Sequence, residues 1–269
     1  MEIFVDKDYA AMSRRAADIV AARVRENPTL VLGLATGSSP LGMYENLAAQ
    51  YAAGSLSFRQ VTGFGLDEYR GLTRRDRQSF YAYLKTNFAD VTDLPIEHLY
   101  VIDGTAEDTA HACAEYENRV AAAGGVDVQI LGIGTDGHIG FNEPEDCFSA
   151  RTHCVRLAEE TIRANARFFE KAANVPREAL TMGIGTIFRA REILLLASGA
   201  EKAEILYETV YGKVRPEVPA SILQFHPNTK LFLDEAAYRV IRAGKRGETH
   251  VCRECARRAA DRLCALRHE

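Results

Sequence analysis

No apolar run in this 269-residue sequence approaches the roughly 18 residues needed to span a bilayer. The longest, Val126–Ile133 and Ile193–Ala197, are strand-sized. Basic excess is also missing: 33 Lys and Arg stand against 37 Asp and Glu, a formal net charge of −4. A nucleic-acid-binding surface would carry the opposite balance, so no nucleic-acid or membrane partner is expected. The opening residues, MEIFVDKDYA, lack the basic and apolar regions of a signal peptide. No stretch rich in Pro, Gly or Ser divides the chain, and no internal repeat or helix-turn-helix pattern is found. Cys113, Cys147, Cys154, Cys252, Cys255 and Cys264 are even in number. A chain this large does not depend on disulfides, so the expectation is a cytoplasmic protein with reduced thiols.

Hydrophobic residues make up 47% and charged residues 26%, enough for a sizeable core. Short β-branched runs alternate with longer amphipathic stretches. Met1–Val5, Thr29–Leu34, Val61–Phe64, His98–Ile102, Val126–Ile133, Ile193–Ala197 and Lys230–Leu233 read as strands. Tyr9–Glu26, Leu41–Ala53, Ser79–Phe88, Ala106–Ala123, Glu159–Lys171, Glu201–Tyr211 and Glu235–Ala243 read as helices. Alternation of this kind predicts an α/β fold: a single-domain, Rossmann-like open parallel sheet with helices on both faces. The expected domain is 1–243, with Gly244 stopping the last helix. Residues 244–269, basic and cysteine-rich, are expected to be a helical tail. One CxxC at Cys252 and Cys255 with Cys264 and His268 nearby is a weak zinc signal, and two thiols on one helix face are the ordinary alternative.

Ligands of open parallel sheets bind beyond the carboxyl ends of the strands, so three loops draw attention. In Ala35-Thr36-Gly37-Ser38-Ser39-Pro40, glycine allows close backbone approach and three hydroxyls add donors. The helix that Pro40 is placed to open adds unpaired N–H groups, making a phosphate cradle. The alternative is a polar turn with an ordinary cap. Neither the GxxxxGK[ST] nor the GxGxxG spacing is present. In Gly63-Phe64-Gly65-Leu66-Asp67-Glu68-Tyr69 two acids follow a strand end, and side-chain alternation lets only one face a pocket. In Gly132–Pro144, Asp136 and Glu143 flank His138 in sequence. Carboxylates so placed can fix the tautomer of an imidazole and keep it ready for proton transfer. Arg167 and Lys202, each in or opening a helix, are further phosphate candidates or simply solvated charges.

The segments LGLATGSSP, GFGLDEY, GIGTDGHIGFNEP, ANARFF and VPASILQFHP occur in the order found in glucosamine-6-phosphate deaminases. Over about residues 1–240 the chain resembles that family, part of a superfamily that includes 6-phosphogluconolactonases. LDEY together with Glu143-Pro144 resembles the deaminases more than the lactonases, which remain the alternative. The resemblance implies conversion of glucosamine 6-phosphate and water to fructose 6-phosphate and ammonia, with no cofactor and no metal. It implies that His138 opens the sugar ring, oriented by Asp136 and Glu143, and that Asp67 moves a proton between carbons 2 and 1. It implies phosphate held by Thr36, Gly37, Ser38 and Ser39, with Arg167 and Lys202 closing over it. Residues 151–171, which follow the catalytic loop and carry Arg167, are expected to act as a lid. The sequence does not separate glucosamine from its galactosamine epimer. Some relatives are hexamers activated by N-acetylglucosamine 6-phosphate through basic residues that align with His153 and Val155. Val155 offers no donor, so that activation is not expected here, and a homo-oligomer is neither required nor excluded.

Overall fold

The first long amphipathic stretch shows how this sequence builds its elements. Met12, Ala16, Val20 and Val24 recur every four residues and are all buried along α1 (Tyr9–Glu26). The Asp8 carboxylate caps that helix by accepting from the Ala11 amide at 2.8 Å. The computed structural model describes residues 1–166, 169, 171 and 174–247. The strands are β1 (Glu2–Asp6), β2 (Val31–Leu34), β3 (Thr62–Gly65), β4 (Asp67–Tyr69), β5 (Leu99–Tyr100), β6 (Val128–Leu131), β7 (His153–Arg156), β8 (Glu178–Thr181), β9 (Glu192–Ala197) and β10 (Thr229–Asp234). The remaining helices are α2 (Ser38–Ala52), α3 (Phe80–Asn87), α4 (Thr109–Ala122), α5 (Glu159–Asn165), α6 (Ile184–Phe188), α7 (Ala203–Tyr211) and α8 (Arg239–Gly247).

Seven strands form one sheet in the order β1-β10-β9-β6-β2-β3-β5, and every pairing in it is parallel. Every residue of β2, β6 and β9 is buried, so the centre of the sheet is covered on both faces. This is the α/β architecture that the alternation predicts.

Several details differ from the sequence reading, and three have a clear physical reason. β4, β8 and β7 form a separate antiparallel sheet that the periodicity did not reveal. Its strands are three or four residues long, too short for alternation to register. Helix α2 begins at Ser38, three residues before the expected Leu41, because Gly37 rather than Pro40 ends the loop. Proline is tolerated within a first turn, where N–H groups have no intrahelical acceptor. Gly244 lies inside α8 instead of ending it. A β-carbon there would stand 2.8 Å from Tyr207 Cε2, so this glycine serves close packing of α8 against α7. Most of the tail, with Cys252, Cys255, Cys264 and His268, lies outside the described residues. Cys113, Cys147 and Cys154 are free thiols.

Candidate active site

The chain runs outward from β2 to β3 and β5, then returns to lay β6 on the other side of β2. The loops that follow β2 and β6 therefore diverge from adjacent strands, and a crevice opens between them. A cavity of about 700 Å³ lies there. Thr36, Gly37, Ser38, Ser39, Asp67, Asp136, His138 and Lys202 all line it. Of the residues named from sequence, Glu143 lies outside the cavity lining, and Arg167 is outside the described residues.

Gly37 turns the chain with φ 90°, a left-handed conformation that disfavours any side chain. Ser38 and Ser39 then open α2, so their amides belong to the first turn and point free donors out of the helix. Lys202 ends a 3₁₀ turn, Ala200–Lys202, that follows β9. Backbone amides, hydroxyls and an ammonium group thus converge on one region, a combination suited to a phosphate. Arg77 also lines the cavity. The sequence reading passed over it because Arg74-Arg75-Asp76-Arg77 carries no spacing signal.

Asp67 and Glu68 face opposite ways on β4, as alternation requires. Asp67 is 5% exposed, lines the cavity, and its Oδ1 has no hydrogen-bond partner among the described residues. Burial, reinforced by the Glu68 charge, raises its carboxyl well above the ordinary aspartate value. Glu68 turns instead to the start of α3, accepting from the Phe80 and Tyr81 amides at 2.9 and 3.0 Å. Burial pushes its carboxyl up to about 7, although these amides and that of Tyr69 pull it down.

The loop after β6 folds back on itself. The Gly134 amide donates to the His138 carbonyl at 2.9 Å, and the His138 amide to Asp136 Oδ1 at 3.1 Å. The same Oδ1 lies 2.7 Å from His138 Nδ1, close but off the line of a regular hydrogen bond. Burial works against the Asp136 charge, but His138 and nearby amides prevail and bring its carboxyl down to about 2. A β-carbon on Gly134 would fall 2.2 Å from His138 Nδ1, so only glycine leaves room for this pair. Glu143 is 8% exposed, and its Oε2 has no partner among the described residues. Donor atoms of Asp136, His138 and Glu143 lie within 4.8 Å of one another. That arrangement suits a proton relay, and its donor set could also hold a divalent metal. The sequence spacing did not flag such a donor set.

Tyr69, Phe80 and Phe141 form an aromatic wall, with ring centroids 4.8–5.7 Å apart. Thr161 and Asn165 of α5, with Phe169, complete the lining. Residues of the expected lid therefore border the cavity. His153 and Val155 lie on β7, and Val155 is buried in a small apolar cluster with Tyr69 and Phe141.

Comparison with known proteins agrees with this architecture. The family model described as glucosamine-6-phosphate isomerases/6-phosphogluconolactonase matches residues 6–232. The glucosamine-6-phosphate deaminase of Alkaliphilus metalliredigens is 47% identical over 241 residues, 90% of this chain and 100% of the relative. That of Clostridium acetobutylicum matches with the same identity and coverage. A solved monomeric glucosamine-6-phosphate deaminase superposes with a TM-score of 0.87 at 40% identity, covering 89% of this chain and all of the other. The 6-phosphogluconolactonase of Thermotoga maritima, at 20% identity and a TM-score of 0.70 over 87% of this chain and 99% of its own, shares the fold. The chain belongs to the glucosamine-6-phosphate isomerase/6-phosphogluconolactonase family.

Proposed function

We propose that this protein is a glucosamine-6-phosphate deaminase, converting glucosamine 6-phosphate and water to fructose 6-phosphate and ammonia. The observation that carries this reading is that Asp67 and His138 line one cavity together with the Thr36–Ser39 loop. A carboxylate, an imidazole and an anion cradle are thereby within reach of a single hexose phosphate.

His138 takes the proton of the anomeric hydroxyl and delivers it to the ring oxygen, opening the pyranose. Asp136 and Glu143 hold the imidazole and balance its charge while it carries that proton. Asp67 removes the proton from carbon 2, leaving an enolamine, and returns it to carbon 1. The resulting iminium at carbon 2 adds water and expels ammonia. A single buried carboxylate can serve two adjacent carbons because the sugar is fixed at its far end by the phosphate. The raised proton affinity of Asp67 makes it a stronger base than a solvated aspartate. The ammonium carried on carbon 2 of the bound substrate favours the ionised form that the base must start from. Arg167 and Lys202 hold the phosphate, and the 151–171 segment closes over the sugar.

Ammonia release from glucosamine 6-phosphate tests this reading. Wild type should release it, and Asp67→Asn should lose at least about a hundredfold in kcat, the scale of one general base. A variant near the wild-type rate would remove Asp67 from the mechanism.

A further inference from the structure

Three tyrosine hydroxyls reach the backbone of the Ala35–Ser38 loop from three different helices. Tyr44 donates to the Ala35 carbonyl at 2.7 Å, Tyr83 to the Gly37 carbonyl at 2.6 Å, and Tyr9 to the Ser38 carbonyl at 2.6 Å. A peptide unit is planar and trans, so its carbonyl and the N–H of the next residue point in opposite directions. Holding those three carbonyls therefore sets the directions of the Thr36, Ser38 and Ser39 amides. All three residues line the cavity.

The Tyr9 contact goes further. The Gly42 amide donates to the Tyr9 hydroxyl at 2.8 Å. In a regular helix that amide would bond directly to the Ser38 carbonyl four residues earlier. The Tyr9 phenol therefore touches both ends of the first turn of α2, the Ser38 carbonyl and the Gly42 amide. Gly42 makes room for it: a β-carbon there would lie 3.0 Å from Tyr9 Cε1 and 2.7 Å from Ser13 Oγ. Burial raises the Tyr44 hydroxyl well above its usual value, and Tyr83 is raised for the same reason, so both stay protonated donors at working pH.

We propose that Tyr9, Tyr44 and Tyr83 are positioning residues that lock the peptide planes of this loop so that its amides converge on the substrate phosphate. The proposal rests on the reading of the loop as the phosphate cradle. Tyr9 and Tyr83 are partly buried, and replacing either by Phe removes one oxygen and little packing.

Tyr9→Phe, Tyr83→Phe and the double variant should be compared with wild type in kinetics, in calorimetric binding of inorganic phosphate, and in thermal unfolding. Each single variant should raise KM and the phosphate dissociation constant together, by about three- to tenfold, the worth of one hydrogen bond. The kcat should stay within about twofold, because both hydroxyls are committed to backbone carbonyls of the loop. The double variant should multiply the single effects, since the two phenols hold different peptides. A lowered melting temperature with unchanged KM and phosphate affinity would reduce the tyrosines to packing and overturn the proposal. If wild type binds phosphate yet releases no ammonia, the deaminase reading fails while the phosphate measurement still decides this one.

Discussion

The Asp67 carboxylate is buried beside a second acid, and two measurable consequences follow from its position. As a base it acts only when ionised, so kcat/KM falls as pH drops through its raised value. The acid limb of the profile should therefore lie well above the ordinary aspartate pKa of about 3.9. A limb near 4 would show that the titrating base is elsewhere. The second consequence concerns stability. Below about pH 4 the carboxyl is neutral in both folded and unfolded chains. As pH rises above that value the unfolded chain releases its proton while the folded chain resists, and stability is lost. An amide at this position has no such proton to release, so Asp67→Asn should unfold at a higher temperature than wild type at pH 8, with the gap closing toward pH 4. Equal melting temperatures at both pH values would contradict it. At this scale much was legible. Strand alternation separates Asp67 from Glu68, and the glycines around His138 mark a constrained turn. Tyr9, Tyr44 and Tyr83 were not legible, because a tyrosine at helical spacing reads as core and its hydroxyl partner lies in another element.

Among the elements, the turn after β6 does the most with the fewest residues. Gly134 passes so close to the imidazole that an added methyl would lie 2.2 Å from His138 Nδ1 and 2.6 Å from Asp136 Oδ1. Gly134→Ala should therefore displace the ring from its acid and lower kcat by more than about tenfold, as misplaced catalytic groups do. The fold should persist, since β6 and its neighbours are untouched; circular dichroism and kinetics together check this. Full activity in the variant would mean that the Asp136–His138 contact is dispensable. Element boundaries were read well where periodicity is long: α1 was placed at Tyr9–Glu26 from its apolar repeat and is found there. The second sheet was missed because its strands pair only with each other and are too short to alternate visibly. β4 begins on two acids, which disfavour strand on propensity, and forms because β8 supplies the ladder from Ala179 to Thr181.

At the scale of the whole molecule, the two ends of the large sheet do different work. Chemistry gathers where β2, β3, β6 and β9 end, while ionic ties gather where strands begin. Glu192 opens β9 with a side chain only 4% exposed. It accepts from Arg23 Nε of α1 at 2.7 Å and pairs with Lys230 of β10, joining a helix and two strands. Burial disfavours its charge, but Arg23 and Lys230 outweigh that and hold its carboxyl below the usual value. A depressed carboxylate contributes stability above its unfolded pKa of about 4.3 and loses it as pH falls through the lower folded value. Glu192→Gln should cost about 2 kcal/mol at pH 7, less than for a fully buried pair because the Arg23 side chain still reaches water. Denaturant unfolding should show that difference holding from pH 8 to about pH 5 and shrinking below pH 4. Glu192 does not line the cavity, so KM and kcat should not move. A loss of activity without a loss of stability would break the division between a reactive end and a fastening end. A stability gap unchanged at pH 3 would show that packing, not charge, is what Glu192 contributes.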